Sequence, residues 1–213
     1  MLYFSAALLA YFLGSIPWGY IAGLLNGVDL RKEGSGSTGA TNTLRVLGKK
    51  WGYAVFALDA FKGWLAVMGS FGVAALLFNA SEQEIIHAGV VAAFFAVAGH
   101  TYPVWLRFQG GKGIATSAGV MIALFPPAVF AFGLAVWGTL FFSTRYVSVA
   151  SLGAAIALPT ASAALLIAGK CDLIRTAIAL LMCILAVWRH RSNISRLVAG
   201  TEKRFDKKTR TNP

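Results

Sequence analysis

Acidic residues are scarce in this chain: eight Asp and Glu stand against nineteen Lys and Arg in 213 residues, a formal net charge of +11. With so few carboxylates, and no grouping of His, Cys, Asp and Glu, neither an Asp-rich magnesium site nor a zinc site has ligands to build on. No metal and no cofactor is expected. Cysteine is almost missing too. Cys171 and Cys183, in or beside one late apolar run, match no redox or metal spacing and read as packing residues. A soluble face is also lacking, since 57% of residues are hydrophobic and only 13% charged, with a mean hydropathy of +0.68. That is too apolar for a soluble domain. The basic excess is no nucleic-acid footprint, because the cations are scattered among apolar runs and not gathered on one soluble face. A cleavable signal peptide is not expected either: Met1 to Leu25 has no basic start, and its apolar run is long enough to span.

What the chain does have is apolar runs. They predict an all-α polytopic membrane protein, with residues 1–200 as one domain and 201–213 as a basic cytoplasmic tail. Spans are expected at 2–25, 51–78, 85–106, 114–125, 128–142, 149–168 and 173–188, seven crossings in all. Pro126-Pro127 separates two short ones, either shortened helices or a re-entrant hairpin. The first span contains Gly14-Ser15-Ile16-Pro17-Trp18-Gly19, a knot that lipid cannot satisfy, so it must be buried against other helices or line a cavity. Every Lys and Arg except Lys62, Lys170 and Arg175 falls on one side of this topology. The positive-inside rule therefore puts the N-terminus outside and the C-terminus in the cytoplasm.

Two stretches on the cytoplasmic side share one chemistry. The first is Gly34-Ser35-Gly36-Ser37-Thr38-Gly39-Ala40-Thr41-Asn42, with Arg45 close behind. The second is Gln109-Gly110-Gly111-Lys112-Gly113-Ile114-Ala115-Thr116-Ser117. Each combines glycines, hydroxyls and a cation, a backbone nest suited to an oxyanion such as phosphate. The first is not a Walker loop, because no Lys-Ser or Lys-Thr pair follows Gly39. Two further polar clusters, Ser143-Thr144-Arg145 and the run from Trp188 to Arg196, are expected on the same face. Together they predict a pocket for a phosphate-bearing ligand with room for a lipid tail. Asp59 and Lys62, at i and i+3 in the second span, share a helix face and can neutralise one another beneath that pocket. His100 ends the third span as a packing histidine or a site residue.

Familiar catalytic patterns are missing. His87, His100 and His190 are followed five residues later by Ala92, Trp105 and Ser195, so no His-x4-Asp acyltransferase pair exists. No Gly-x-Ser-x-Gly elbow has its strand–turn–helix setting. The chemistry must then come from an activated substrate, with positioning and charge neutralisation supplied by the protein.

Several motifs now converge. Gly14-Ser15-Ile16-Pro17-x-Gly19, the first glycine stretch, Asp59-x-x-Lys62-Gly63, Gly99-His100-x-x-Pro103-Val104, and Phe108-x-Gly110-Gly111-Lys112-Gly113-x-Ala115-Thr116 occur in that order. Trp188-Arg189-His190-x-x-Asn193-Ile194-x-Arg196-Leu197 and Gly200-x-Glu202 close the series. Over residues 10–203 the chain resembles the bacterial acyl-phosphate:glycerol-3-phosphate acyltransferase family, PlsY. Ser37 departs from it, standing where the family usually has Asn.

The resemblance implies a seven-span enzyme of the bacterial cytoplasmic (inner) membrane, active site toward the cytoplasm. It would move a fatty acyl group from acyl phosphate to the 1-hydroxyl of glycerol 3-phosphate, an early step of phospholipid synthesis, without CoA or acyl carrier protein. Arg45, Lys112 and His190 are then the expected catalytic residues. Substrate would be held by Ser35, Gly36, Ser37, Gly39, Thr41 and Asn42 of the first loop, by Gly110, Gly111, Gly113 and Thr116 of the second, and by Asn193. Asp59, Lys62, His100 and Glu202 would support them. A membrane carrier for a small organophosphate would use the same cations, but its site should lie at the midplane between inverted repeats, which this chain lacks.

Overall fold

The computed structural model describes residues 1–205, and every regular element among them is a helix. The end of the basic tail, residues 206–213 with Lys207, Lys208 and Arg210, lies outside the described residues. The first apolar run divides into α1 (Leu2–Ser15) and α2 (Trp18–Leu25) at Ile16-Pro17, since proline supplies no N–H to continue the ladder. The break is buried, as lipid requires. Lys62 Nζ donates to the Ile16 carbonyl at 2.7 Å, and Gly14 lies so close to the Ala96 backbone that a Cβ there would overlap it.

A short helix, α3 (Ala40–Leu47), rises out of the first glycine stretch and hands over at Gly48 to the 30-residue α4 (Lys49–Phe78). α5 (Glu82–Thr101) starts at a capping box in which Ser81 and Glu84 exchange bonds. After a 3-10 turn, Val104–Leu106, the second glycine stretch leads into α6 (Ile114–Leu124). α7 (Pro127–Thr144), α8 (Val147–Ile167), α9 (Leu173–Arg189) and α10 (Arg191–Val198) follow.

Five stretches, Leu2–Leu25, Lys49–Phe78, Glu82–Leu106, Pro127–Thr144 and Val147–Ile167, are long and apolar enough to cross a bilayer. α9 qualifies only when counted through a 55° bend into α10. α6, with 11 residues, rises about 16 Å and covers half of a ~30 Å core. Of the two short spans expected around the proline pair, then, only the first is short. Pro127 opens α7, a position where its missing N–H costs nothing. Ser143 and Thr144, expected in a polar turn, instead prolong α7, their hydroxyls donating to the Thr139 and Leu140 carbonyls at 2.7 and 2.6 Å.

Small residues let the backbones approach. Ala10, Ala66, Ala92, Ala93 and Ala96 are all fully buried, in one core with Val67, Val97 and Val120. Without a hydrophobic drive between helices in lipid, such close van der Waals packing is what holds them. Gly63 of α4 meets the Thr116 carbonyl of α6, and Gly119 of α6 meets the Ala60 carbonyl of α4. That reciprocal contact seats the N-terminus of α6, and with it the second glycine stretch, beside Asp59.

Candidate active site

Each glycine stretch ends as the start of a helix. Gly39 caps α3 and Gly113 (φ 82°) caps α6, and neither helix has a side-chain cap. Asn42 N reaches back to the Gly39 carbonyl at 3.1 Å, but the leading N–H groups of both helices have no intrahelical partner and carry the positive end of the helix dipole. Gly39, Ala40 and Thr41 from one helix, with Gly113, Ile114 and Ala115 from the other, line a single cavity of about 140 Å³. Two anion seats thus face one space.

Arg45, Lys112, His190, Asn193 and Glu202 complete its walls, with Ser35 and Ser37 at the first loop. Lys112 Nζ donates to Asn193 Oδ1. Asn193 Nδ2 in turn donates to Glu202 Oε1, and Arg196 Nε to Glu202 Oε2, both at 2.7 Å. Glu202 is buried. Burial alone would raise its carboxyl pKa, but the bonds from Asn193 and Arg196 outweigh that and hold it below the usual range. For Lys112 the same downward direction disfavours the charged form. Burial, opposed by Glu202 but reinforced by Arg196, Arg45 and Arg189, pulls its ammonium down to about 8. Burial likewise lowers Arg45, whose Nη2 donates to the Lys203 carbonyl at 3.4 Å. His190 Nδ1 lies 2.8 Å from the Ala186 carbonyl, which can only accept. Nδ1 is therefore the protonated nitrogen, and Nε2 is left as an acceptor.

Asp59 and His100 also reach this cavity. Asp59 Oδ1 lies 2.8 Å from Lys62 Nζ and 3.4 Å from His100 Nδ1. The histidine is thus tied to a carboxylate 41 positions earlier in the chain. Gly111 N donates to the His100 carbonyl at 3.2 Å, and a Cβ on Gly111 would overlap the imidazole. Arg189 grips the other side, donating to the Gly110 and Gly111 carbonyls at 3.0 and 3.1 Å.

Some expected substrate contacts stand behind the wall. Gly110, Gly111, Gly36 and Thr116 do not line the cavity, and Lys62, expected only as a support, lies behind the wall as well. Gly36 (φ 70°) turns the first loop, and Thr116 is fully buried beneath Gly63. Asn42 touches the cavity, yet its side chain is committed to the loop. Oδ1 accepts from Ser35 N at 2.8 Å, while Nδ2 donates to the Leu30, Glu33 and Ser37 carbonyls at 2.9–3.2 Å. The turn Ser143-Thr144-Arg145, expected to join the pocket, does not line it. In its place come Ser148 and Ser151 of α8, whose i, i+3 spacing behind a polar turn was the available signal.

Phe56, Ile114 and Trp137 border this cavity and also a second one, of about 290 Å³, lined by α4, α6, α7, α8 and α9. Its wall is almost wholly apolar, from Ala60 and Ile122 to Leu158 and Met182. A cationic cavity opens into a hydrophobic one.

A family model described as "Glycerol-3-phosphate acyltransferase" matches residues 4–200. The chain belongs to the glycerol-3-phosphate acyltransferase family. The resemblance to the PlsY family drawn from the motifs is met. Among proteins of that name, the one from Synechococcus elongatus is 43% identical over 98% of this chain and 97% of its own. The one from Aquifex aeolicus is 42% identical over 92% and 95%. A crystal structure of PlsY, described as an integral membrane glycerol 3-phosphate acyltransferase in its glycerol 3-phosphate form, has a TM-score of 0.83, 39% identity and 96% coverage of both chains. Its lysophosphatidic acid form has a TM-score of 0.80 over 96% and 95%. The all-helical, integral-membrane architecture expected of the chain agrees with these structures.

Proposed function

We propose that this chain transfers a fatty acyl group from acyl phosphate to the 1-hydroxyl of glycerol 3-phosphate, giving 1-acylglycerol 3-phosphate (lysophosphatidate) and phosphate. The observation that carries this reading is the junction at Phe56, Ile114 and Trp137, where a cavity with two uncapped helix N-termini meets an apolar one. Two phosphate-bearing reactants need two anion seats, and one fatty chain needs the apolar space. Arg45, Lys112 and the backbone N–H groups of α3 and α6 neutralise the phosphates. Ser35, Ser37 and Thr41 supply hydroxyls, and His190 with Asn193 orients the glycerol. Asn42, Glu202 and the Asp59–Lys62–His100 group hold these elements in place.

An acyl phosphate is a mixed anhydride, already activated. The glycerol hydroxyl oxygen bonds to the acyl carbon, and the bond from that carbon to the phosphate oxygen breaks. The pocket's carboxylates are committed, Asp59 to Lys62 and His100 and Glu202 to Asn193 and Arg196. With His190 Nε2 accepting a hydrogen bond that orients the glycerol, a phosphate oxygen of the substrates takes the hydroxyl proton, and the rate gain comes from positioning. Neither CoA nor acyl carrier protein has a part. The concentration of cations on the cavity's side supports an inner-membrane enzyme with N-terminus outside, seven passes counting α6, and the site open to the cytoplasm.

Purified protein in detergent, given octanoyl, lauroyl or palmitoyl phosphate with glycerol 3-phosphate, should form the matching lysophosphatidate and phosphate in equal amounts from at least one of these donors, and palmitoyl-CoA should give none. Equal turnover of palmitoyl-CoA would overturn the donor assignment. No product from any donor would overturn the reaction and leave an organophosphate carrier as the reading.

A further inference from the structure

The apolar cavity has a polar mouth and a solid end. α6 runs from the mouth at Ile114 to Ile122 along its wall, eight residues and so a depth of about 12 Å. The lining residues farthest along their helices from the polar mouth are Met121 and Ile122 on α6, Phe130 on α7 and Leu158 on α8, with Met182 on α9; Met121, Leu158 and Met182 are only 8%, 3% and 2% exposed and part of the main core. Gly133 of α7 packs directly against this group: a Cβ at that position would lie 3.1 Å from the Met121 Cε methyl, close enough to push the thioether into the cavity. Ile122 and Leu134, also in the wall, are 54% and 57% exposed and face the lipid side.

A donor's carbonyl is fixed at the mouth by its phosphate, so the position of its methyl end depends only on chain length. We infer that Met121, seated against Gly133, and Met182 form the end-stop that sets which acyl chains this enzyme takes. This rests on the reaction proposed above. The unbranched thioethers fill irregular space without a fixed shape, so the stop adapts to small differences and rejects large ones. Its geometry is changed from one side by adding volume at Gly133 and from the other by removing it at Met182.

The test is a donor series of octanoyl, lauroyl, palmitoyl and stearoyl phosphate at saturating glycerol 3-phosphate, with wild type, Gly133→Val, Met121→Ala and Met182→Ala. Turnover of octanoyl phosphate, which ends short of the stop, reports correctly folded enzyme in each variant. Gly133→Val should lower kcat/KM for the longest well-used donor by at least about tenfold relative to octanoyl phosphate, the discrimination expected when a pocket is too short by a methylene or more. Met182→Ala and Met121→Ala should move the optimum toward longer chains, and KM for glycerol 3-phosphate should stay put in all three. Unchanged donor ratios, or equal losses on every donor, overturn the end-stop; the former would mean that long chains leave sideways past Ile122 and Leu134. Wild type that acylates with no donor at all overturns the reaction itself, a result distinct from a flat profile.

Discussion

Lys112 sits where burial and function pull in opposite directions. It is half-buried among Arg45, Arg189 and Arg196, so its cationic form persists only below about 8, whereas an exposed lysine stays charged to about 10.4. Without ligand, the protonated form is the disfavoured one. As pH rises from 8 toward the unfolded-state value, the native state sheds a proton the unfolded chain still binds, and stability increases. Phosphate binding works against that trend, since an anion beside the ammonium raises its pKa again. We therefore expect kcat/KM to fall as pH passes through about 8, while kcat at saturating substrate declines only at higher pH. Lys112→Arg should remove the kcat/KM limb, because a guanidinium does not titrate there. Lys112→Ala should lose about a hundredfold or more in kcat/KM below pH of about 8, where the wild-type ammonium is charged, with the deficit narrowing above it. An alkaline limb that survives in Lys112→Arg would assign it to another group.

At the level of elements, the site depends on where α6 begins, and that is fixed by how near α6 lies to α4. The facing pair Gly63 and Gly119 brings carbonyl oxygens of each helix against the missing Cβ of the other. A side chain at either glycine must push α6 outward and take Gly113 and Lys112 with it. A displacement of about 1 Å costs on the order of a hundredfold in rate when reacting groups must be aligned. Gly119→Val should thus lower activity at least about that much, while the protein still inserts and elutes as a folded species in detergent. Gly72→Val on the same long α4 meets no atom within 4 Å and should behave as wild type. Equal effects of the two would mean that the contact between α4 and α6 does not position the site.

The glycine stretches were readable as anion seats because their glycines, hydroxyls and cations are contiguous. What could not be read is that both terminate as helix N-caps opening on one space. α3 and α10, eight residues each, are too short for a periodic pattern to stand out from the polar segments around them. Asn42 reads as a ligand until its backbone partners at Leu30, Glu33 and Ser37 are placed. The link from His100 to Asp59, and the arrival of Ser148 and Ser151 in the pocket, are tertiary facts that no local spacing encodes. The apolar runs, by contrast, located the long spans, because bilayer thickness alone dictates their length.

For the whole molecule, the orientation proposed from charge is testable with the protein's own cysteines. α8 leaves the pocket at Ser148 and Ser151 and runs 21 residues to Ile167, a rise of about 31 Å, one bilayer core. Cys171 follows it and is half-exposed, which under the proposed orientation puts it at the membrane surface remote from the cavity. Cys183 lines the apolar cavity instead. Ser143, exposed at the end of α7, marks the cavity side. In right-side-out vesicles a membrane-impermeant maleimide should therefore label Cys171 of a Cys183→Ser protein. In a background lacking both native cysteines, Ser143→Cys should be labelled only after the vesicles are opened or inverted. This holds whether α6 crosses fully or turns back, because α6 and α7 together return the chain to the side it left. The opposite labelling pattern would turn Arg45 and Lys112 toward the exterior. The cavity would then be cut off from phosphorylated substrates made in the cytoplasm, and the excess of cations on its side could no longer be attributed to the rule that keeps basic loops inside.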